Sequence, residues 1–284
     1  MRTIKHVHRA VSSPIADLVT YRAIPTYSID YLDPFLFLNH HGPQVYTANN
    51  YGLPFGPHPH RGFETVTFVL EGDIYHKDSG GNTGIIKPGG VQWMTAGSGL
   101  IHSEISSEEF KQKGGPLEIL QLWVNLPARY KMTAPSYVDL QKQDIPSIAL
   151  DDGKVSVNIV SGSFEGTAGA HQSLTDVHLA TVYLKEGASL DPKIAAERNI
   201  FFYVIRGRVA ANHAEVEQLN LVEFDNDSDE LQVRALEDSV ILLGHAAPYN
   251  EPVVAQGPFV MNTQEEIRQA YQDYQQGKLG HLDD

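Results

Sequence analysis

The chain has 284 residues, of which 42% are hydrophobic, with 13 Tyr and 11 Phe. This composition supplies packed cores and excludes a disordered protein. The absence of cysteine excludes disulfides, thiolate metal sites and thiol nucleophiles, and a net charge of −14 with scattered Lys and Arg opposes direct nucleic-acid binding.

The N-terminal residues 1–18 lack the apolar core of a signal peptide, and no apolar run of 18 residues follows. We therefore expect a cytoplasmic protein without a membrane segment. Because cysteine is absent, a transition metal would need His, Asp or Glu as ligands.

Most of the chain has the pattern of short β-strands. Apolar or alternating runs are separated by clusters of Gly, Pro, Asn and Asp, which is typical of barrels or sandwiches. The glycines of KDSGGN (77–82) predict a hairpin turn. The runs are TVTFVLEG (65–72), TGIIKPGG (83–90), VQWMTAG (91–97), LEILQLWVNL (117–126), VHLATVYL (177–184) and NIFFYVIRG (199–207).

Residues 126–147 are polar, are punctuated by proline and show no periodicity, so they predict a linker. We place a domain boundary near residue 140, which gives an N-terminal domain 1–140 and a C-terminal domain 141–284.

The C-terminal region, 262–280, predicts an amphipathic helix. Thr263 and Glu266 form a T-x-x-E capping box, and Gly277 supplies a stop. We expect its apolar face to pack on a barrel; that face, at i, i+3, i+4 and i+7, consists of Ile267, Ala270, Tyr271 and Tyr274.

The two halves contain an internal repeat. Residues 58–72 align without a gap with residues 193–207, and residues 90–104 align more weakly with residues 220–234. If the halves are duplicated barrels, only the first keeps a metal site, and we expect the replacing side chains to fill the old cavity of the second. The aligned pairs are His58 with Lys193, His60 with Ala195, His102 with Gln232, and Glu104 with Arg234.

The spacing of four side chains in the first half predicts a metal site. His58 and His60 share one face of a strand, and His102 and Glu104 share one face of a later strand, because residues of equal parity lie on the same side. Two antiparallel strands of a small barrel can direct both pairs into one cavity. Three imidazoles and one carboxylate suit a borderline divalent metal with open positions for a substrate or O₂.

Glu64 is the alternative carboxylate ligand, because it has the parity of His60 and H-x-H-x₃-E is a possible ligand spacing. We favour Glu104 and expect Glu64 to support the ligands or to be a buried structural acid. The pair His6 and His8 has the same spacing but no matching H-x-E, so we assign it to an N-terminal strand. The other histidines are expected at a pocket edge or surface (His40, His41, His76) or in structural roles (His171, His178, His213, His245, His281).

H-x-H and the later G-x-x-H resemble the two cupin motifs. HPHRGFETVTFVLEG, QWMTAGSGLIHSE, LQLWVNLP and the C-terminal NEPVVAQGPFVMNTQEEIRQAYQDYQQGKLG resemble the pirin family over essentially the whole chain. The resemblance implies an all-β fold of two cupin-type β-barrels (a bicupin) with a short C-terminal α-helix. It implies a metal in the N-terminal barrel, held by His58, His60, His102 and Glu104. The implied metal is Fe(II), with Ni, Zn, Cu, Mn or Co as alternatives.

The resemblance leaves two functions open. The first, which we favour, is a quercetin 2,3-dioxygenase-like oxidoreductase that takes a small aromatic substrate and O₂. There Glu104 would be the catalytic base, and Phe68, Trp93 and Glu64 would line the substrate pocket. The second is a non-enzymatic, iron-dependent redox sensor that binds a protein partner.

Overall fold

The computed structural model of the chain describes residues 1–282 and consists mainly of β-strands. Contacts divide it into two compact units. The first, called here the histidine unit, comprises Ser12–Tyr21, Pro34–Lys142 and 249–282. The second unit comprises Met1–Val11, Arg22–Asp33 and Gln143–Pro248. The all-β prediction is confirmed.

The strands are short and follow the predicted runs. The first thirteen are β1 Ile4–Arg9, β2 Val11–Ser12, β3 Thr20–Ile24, β4 Phe35–Tyr46, β5 Phe55–His60, β6 Phe63–Glu71, β7 Ile74–Asp78, β8 Thr83–Ile86, β9 Val91–Thr95, β10 Leu100–Ile105, β11 Gly115–Asn125, β12 Ser136–Leu140 and β13 Ser147–Leu150. The others are β14 Val155–Ser161, β15 Ser163–Phe164, β16 Thr167–Ala168, β17 Val177–Leu184, β18 Ser189–Leu190, β19 Asn199–Arg206, β20 Arg208–Ala211, β21 Ala214–Glu217, β22 Asn220–Phe224, β23 Val233–Ala235, β24 Ser239–Ala246, β25 Val254–Gln256 and β26 Phe259–Met261. The α-helices of residues 1–282 are α1 Glu108–Lys113 and α2 Gln264–Gln275.

Each unit combines a seven-stranded sheet with a four-stranded sheet, and the strand orders correspond. The histidine unit contains β12-β9-β6-β11-β4-β3-β2 and β5-β10-β7-β8. The second unit contains β1-β22-β19-β24-β17-β14-β13 and β18-β23-β20-β21. In chain order, β5 to β11 therefore play the roles of β18 to β24, which is the topology expected of a duplicated domain.

The division of the chain differs from the predicted domains 1–140 and 141–284. The change of unit at Lys142 lies close to the predicted boundary, but both termini belong to the unit of the opposite half. The N-terminal β1 pairs with β22, and Val260 of the C-terminal segment donates its N–H to the carbonyl oxygen of Arg61. The linker prediction also fails in part, because residues 126–147 contain β12, which pairs with β9. A sequence pattern identifies an edge strand but not the sheet that it joins.

The local predictions at the hairpin and the C-terminal helix are confirmed. The turn between β7 and β8 contains Gly81 at a φ of 89°. Thr263 caps α2 by accepting the N–H of Glu266 at 3.2 Å, and the Glu266 carboxylate accepts the N–H of Thr263 at 2.9 Å. Of the predicted apolar face, Ile267, Ala270 and Tyr271 pack on a cluster of the histidine unit that contains Phe259, Met261 and Leu279, whereas Tyr274 is 40% exposed. Neither helix of residues 1–282 is long and apolar enough to cross a membrane.

Candidate metal centre

Strands β5 and β10 bring the three predicted histidines together. The antiparallel register sets His102 opposite His58 and Leu100 opposite His60. One ring nitrogen from each of His58, His60 and His102 lies within 4.8 Å of the others. Two strands of equal parity thus direct three imidazoles to one point, as the spacing predicts.

Burial keeps the imidazoles of His60 and His102 neutral. It lowers the pKa of His60 to about 3, with a further contribution from His58. It also lowers the pKa of His102 well below its usual value, with smaller contributions from His60, His58 and His76. A metal ligand must present an unprotonated ring nitrogen, so these two rings are already in the form that binds a cation.

Backbone carbonyls orient two of the rings. Nδ1 of His58 lies 2.7 Å from the carbonyl oxygen of Gly56, and Nδ1 of His60 lies 3.3 Å from that of Pro258. A ring that donates Nδ1–H to a carbonyl keeps the lone pair of Nε2 for a metal. Both rings therefore have the tautomer that coordination requires.

His102 is the clearest sign of a missing partner. Its side chain is 0% exposed, and neither ring nitrogen has a hydrogen-bond partner among residues 1–282. A buried polar atom without a partner costs about 1–3 kcal/mol, and coordination would remove that cost. The donor set of three imidazoles therefore fits a divalent transition metal.

The Glu104 carboxylate borders the histidine cluster. Its Oε2 lies 3.9 Å from Nε2 of His102 and accepts a hydrogen bond from Nε2 of Gln121 at 2.7 Å. Its Oε1 accepts hydrogen bonds from Thr67 Oγ1 at 3.1 Å and from Gln92 Nε2. Oε1 thus has two donors and Oε2 has one, which leaves Oε2 with a lone pair on the side of His102.

The predicted pocket residues Glu64, Phe68 and Trp93 lie on the opposite face of the sheet. Thr67 of β6 and Gln92 of β9 donate to Glu104, so the even-numbered residues of β6 and the odd-numbered residues of β9 point away from it. Glu64 accepts a hydrogen bond from Thr95 at 2.7 Å. These three side chains therefore belong to the packed core and do not line a pocket at the cluster. The sequence alternation shows that a strand has two faces but not which of them borders the cavity.

Burial raises the pKa of the Glu64 carboxyl to about 7, against the opposing effect of hydrogen bonds from Thr95 and Trp93. Its side chain is 0% exposed. Of the two expectations for Glu64, this placement fits a buried structural acid, because the group has no contact with the histidine cluster.

An aromatic cluster beside His60 was missed in the sequence. The ring centroids of Phe63 and Trp123 lie 5.0 and 5.3 Å from that of His60. Trp123 also stacks on Phe37 at 4.5 Å and lies 4.5 Å from Phe63. Trp123 and Phe37 are half-buried. The available signal was the spacing of Gln121 and Trp123, which lie two residues apart and therefore on one face of β11. Gln121 donates to Glu104, so this face borders the cavity.

Three other histidines of this unit, His40, His41 and His76, are buried, which corrects the expectation of a pocket-edge or surface position. His40 bonds to Glu118 at 2.9 Å, and His76 bonds to Asp78 at 3.0 Å. Their partners explain why they can be buried without joining the candidate metal ligands.

Lys131 and the C-terminal segment together stabilise the turn that follows His60. Lys131 is 1% exposed, and its ammonium donates to the carbonyl oxygens of Gly62 and Val260 at 2.9 and 3.0 Å and to Asn125 Oδ1 at 2.7 Å. Arg61 forms an ion pair with Asp273 of α2 at 2.8 Å. Together with the Pro258 carbonyl, these contacts come from distant parts of the chain and fix the position of His60, a candidate metal ligand.

Comparison with known proteins agrees with this arrangement. Family models described as Pirin and as Pirin C-terminal cupin domain match residues 17–124 and 179–280. The chain is 38% identical over 94% of its length to a Pseudomonas aeruginosa protein whose name carries a provisional quercetin 2,3-dioxygenase assignment; the match covers 92% of that protein. It is 41% identical to a pirin-like protein of Caulobacter vibrioides, over 91% of each chain.

The structure superimposes on a crystal structure of quercetin 2,3-dioxygenase from Acinetobacter baumannii with a TM-score of 0.91 and 34% identity, over 100% of both chains. The predicted bicupin fold is thereby confirmed. The chain belongs to the pirin family.

Proposed function

We propose that the protein is a metal-dependent dioxygenase of the pirin type that cleaves quercetin or a related flavonol with O₂. Fe(II) would be held by His58, His60, His102 and Glu104. The observation that carries the proposal is the buried His102 ring without a hydrogen-bond partner, at the meeting point of three imidazoles. The relatives named for quercetin dioxygenation support the choice of substrate class.

The metal, when bound, would supply Lewis-acid and redox chemistry for the reaction of O₂ with an electron-rich ring. The chain supplies the base. Glu104 is held by Gln92, Thr67 and Gln121, and its Oε2 keeps a lone pair on the side of His102. We infer that Oε2 accepts the proton of the flavonol 3-hydroxyl while it is not bound to the metal, because a fixed carboxylate next to the binding position is suited to general-base catalysis.

The aromatic cluster would bind the substrate. Trp123 lies 5.3 Å from His60 and stacks on Phe37, and both of these aromatic rings are half-buried. A flavonol is flat, and each stacked aromatic pair contributes about 0.5–1.5 kcal/mol beyond the area that it buries. We assign the apolar wall of the substrate site to these rings in place of Phe68 and Trp93. A cytoplasmic location and the absence of direct nucleic-acid contact remain part of the proposal, in keeping with the charge of −14.

The test starts from protein stripped of metal by a chelator. We would reconstitute it anaerobically with Fe(II), quantify the bound iron, and follow the loss of quercetin absorbance after O₂ is admitted. His58→Ala should lose both iron and turnover. His6→Ala is the matched control, because His6 has the same H-x-H spacing on an exposed strand and should change neither.

Turnover by His58→Ala equal to that of the wild type would refute the site. One bound iron without turnover of flavonols would refute the dioxygenase and favour the alternative function, an iron-dependent regulator with a protein partner. In that case binding of the partner should differ between Fe(II), Fe(III) and metal-free protein.

A further inference from the structure

The second unit contains an open cavity of about 260 Å³. Lys193, Ala195 and Arg198 line one side, and His178 and His245 line another. The expectation that Lys193 and Arg234 fill the old cavity is therefore wrong, since Lys193 borders the open space and Arg234 is exposed on β23. The cavity needs another explanation.

Strand register shows that this cavity lies at the position equivalent to the metal centre. Trp123 pairs with Phe37 and Thr65, and His245 pairs in the same way with His178 and Ile200. Thr65 and Ile200 differ by the 135 positions of the internal repeat, so both strand pairs are in the same register. The equivalent positions are His58 and Lys193, His60 and Ala195, Phe63 and Arg198, Phe37 and His178, and Trp123 and His245.

The two cavities therefore differ in chemistry at matching positions. Two candidate metal ligands, His58 and His60, are replaced by a lysine and an alanine. The aromatic cluster is replaced by two histidines and an arginine, so a surface suited to a flat apolar ring has become one with polar nitrogen atoms that can form hydrogen bonds. Both sets of changes favour an anion over a metal ion.

Arg198 fixes the role of His245. Its Nε donates to Nδ1 of His245 at 2.7 Å, so His245 is neutral and carries its proton on Nε2. The remaining guanidinium contacts are with Asp176 and with the His245 carbonyl oxygen. Nε2–H of His245 has no hydrogen-bond partner among residues 1–282 and is available as a donor. His178 stacks on this ring at 4.4 Å and holds its orientation.

Lys193 supplies a positive charge to the cavity, and it also borders a neighbouring cavity that Asp191 and Glu230 line. Its side chain is exposed and forms no ion pair among the described residues, whereas the Arg198 charge is paired with Asp176. Glu165 also borders the cavity, and its negative charge opposes any anion, a doubly charged one about twice as strongly as a singly charged one. Phe164, Pro192 and Ile194 add apolar surface.

We propose that the second unit binds a small organic monoanion, a single carboxylate on a compact apolar body, between the Lys193 ammonium and the Nε2–H of His245. The volume of about 260 Å³ is slightly below the usual range for drug-sized ligands, so the body is about the size of one ring. The proposal is independent of the activity assigned to the histidine unit.

The probe is benzoate, titrated calorimetrically into the full-length protein, with benzamide as its neutral counterpart. We expect saturable binding of one benzoate. Lys193→Met should weaken it roughly tenfold or more, because a charge-assisted hydrogen bond is lost. His245→Phe, which removes the donor and keeps a ring, should weaken it as well. Lys154→Met is the matched control: it removes one exposed lysine of the same unit and should leave the affinity unchanged.

Several results would overturn the proposal. Absence of saturable benzoate binding, or equal affinity of the wild type and Lys193→Met, would remove the site. Equal affinity for benzamide would show that the negative charge is not recognised, and tighter binding of inorganic phosphate would refute the assignment to a monoanion. Metal content of the histidine unit, measured in parallel, should be the same in all variants, and its loss would show that they are misfolded.

Discussion

The buried carboxyl of Glu64 makes the stability of the histidine unit depend on pH. The group is 0% exposed, and its pKa is raised from 4.5 to about 7. Glu64→Gln is the informative change, because glutamine has the shape of the protonated acid and keeps an acceptor for the Thr95 hydroxyl, but it cannot ionise.

The sign follows from proton linkage. Between pH 4.5 and about 7 the folded state keeps a proton that the unfolded chain releases, so the free energy of unfolding decreases as the pH rises through this window and levels off above it. Because a pKa difference of one corresponds to about 1.4 kcal/mol, a difference of about 2.5 changes the free energy of unfolding by about 3 kcal/mol. The Glu64→Gln variant cannot ionise at this position, so its free energy of unfolding should not show this decrease. It should match the wild type near pH 4.5 and exceed it by up to about 3 kcal/mol at pH 8.

Tryptophan fluorescence provides the assay. Both tryptophans of the sequence, Trp93 and Trp123, lie in the histidine unit, so urea unfolding followed at this signal reports on that unit. Measurements on chelator-treated protein at several pH values keep metal binding out of the comparison. A stability difference between variant and wild type that stays constant from pH 4.5 to 8 would refute the reasoning, as would a wild type that gains stability over this range relative to Glu64→Gln.

The remaining predictions concern the metal centre and its supports. Glu104→Ala should lose bound metal or flavonol turnover, measured by metal analysis and quercetin absorbance; full retention of both would contradict its assignment. Trp123→Ala should raise the KM for a flavonol about tenfold through lost stacking while bound iron stays constant. Lys131→Met should lower the free energy of unfolding by about 2–4 kcal/mol in urea titrations, because three buried oxygen acceptors lose their donor. Added Fe(II) should raise the Tm of the wild type but not that of His58→Ala, and an equal shift in both would place the metal elsewhere.

The sequence was sufficient for the features that depend on short-range spacing. His58 and His60 are two residues apart on one strand, and His102 lies on a strand whose register with theirs is fixed by a compact barrel. The capping box at Thr263 is equally local. These patterns can be read from a single sequence because the residues of each pair, His58 with His60 and Thr263 with Glu266, are neighbours in the chain, and strand pairing then brings His102 to the first pair.

The features that the sequence did not reveal depend on which face of a strand meets the cavity and on which sheet a terminal segment joins. Trp93 and Trp123 are both apolar residues in predicted strands, yet only Trp123 borders the cluster. The pairing of His178 with His245 is equally invisible, because these residues lie 67 positions apart and meet only through the β17–β24 register.

The assignment of residues 249–282 to the histidine unit limits how this protein can be recombined. A chimera joined at Lys142 would combine His60, Arg61 and Lys131 of one parent with the Pro258 carbonyl, Asp273 and the Val260 carbonyl of another. Exchange of linear halves between relatives therefore tests the compatibility of these contacts as well as the independence of the barrels. A crossover that transfers residues 249–282 together with residues 34–142 would keep every one of those pairs within one parent.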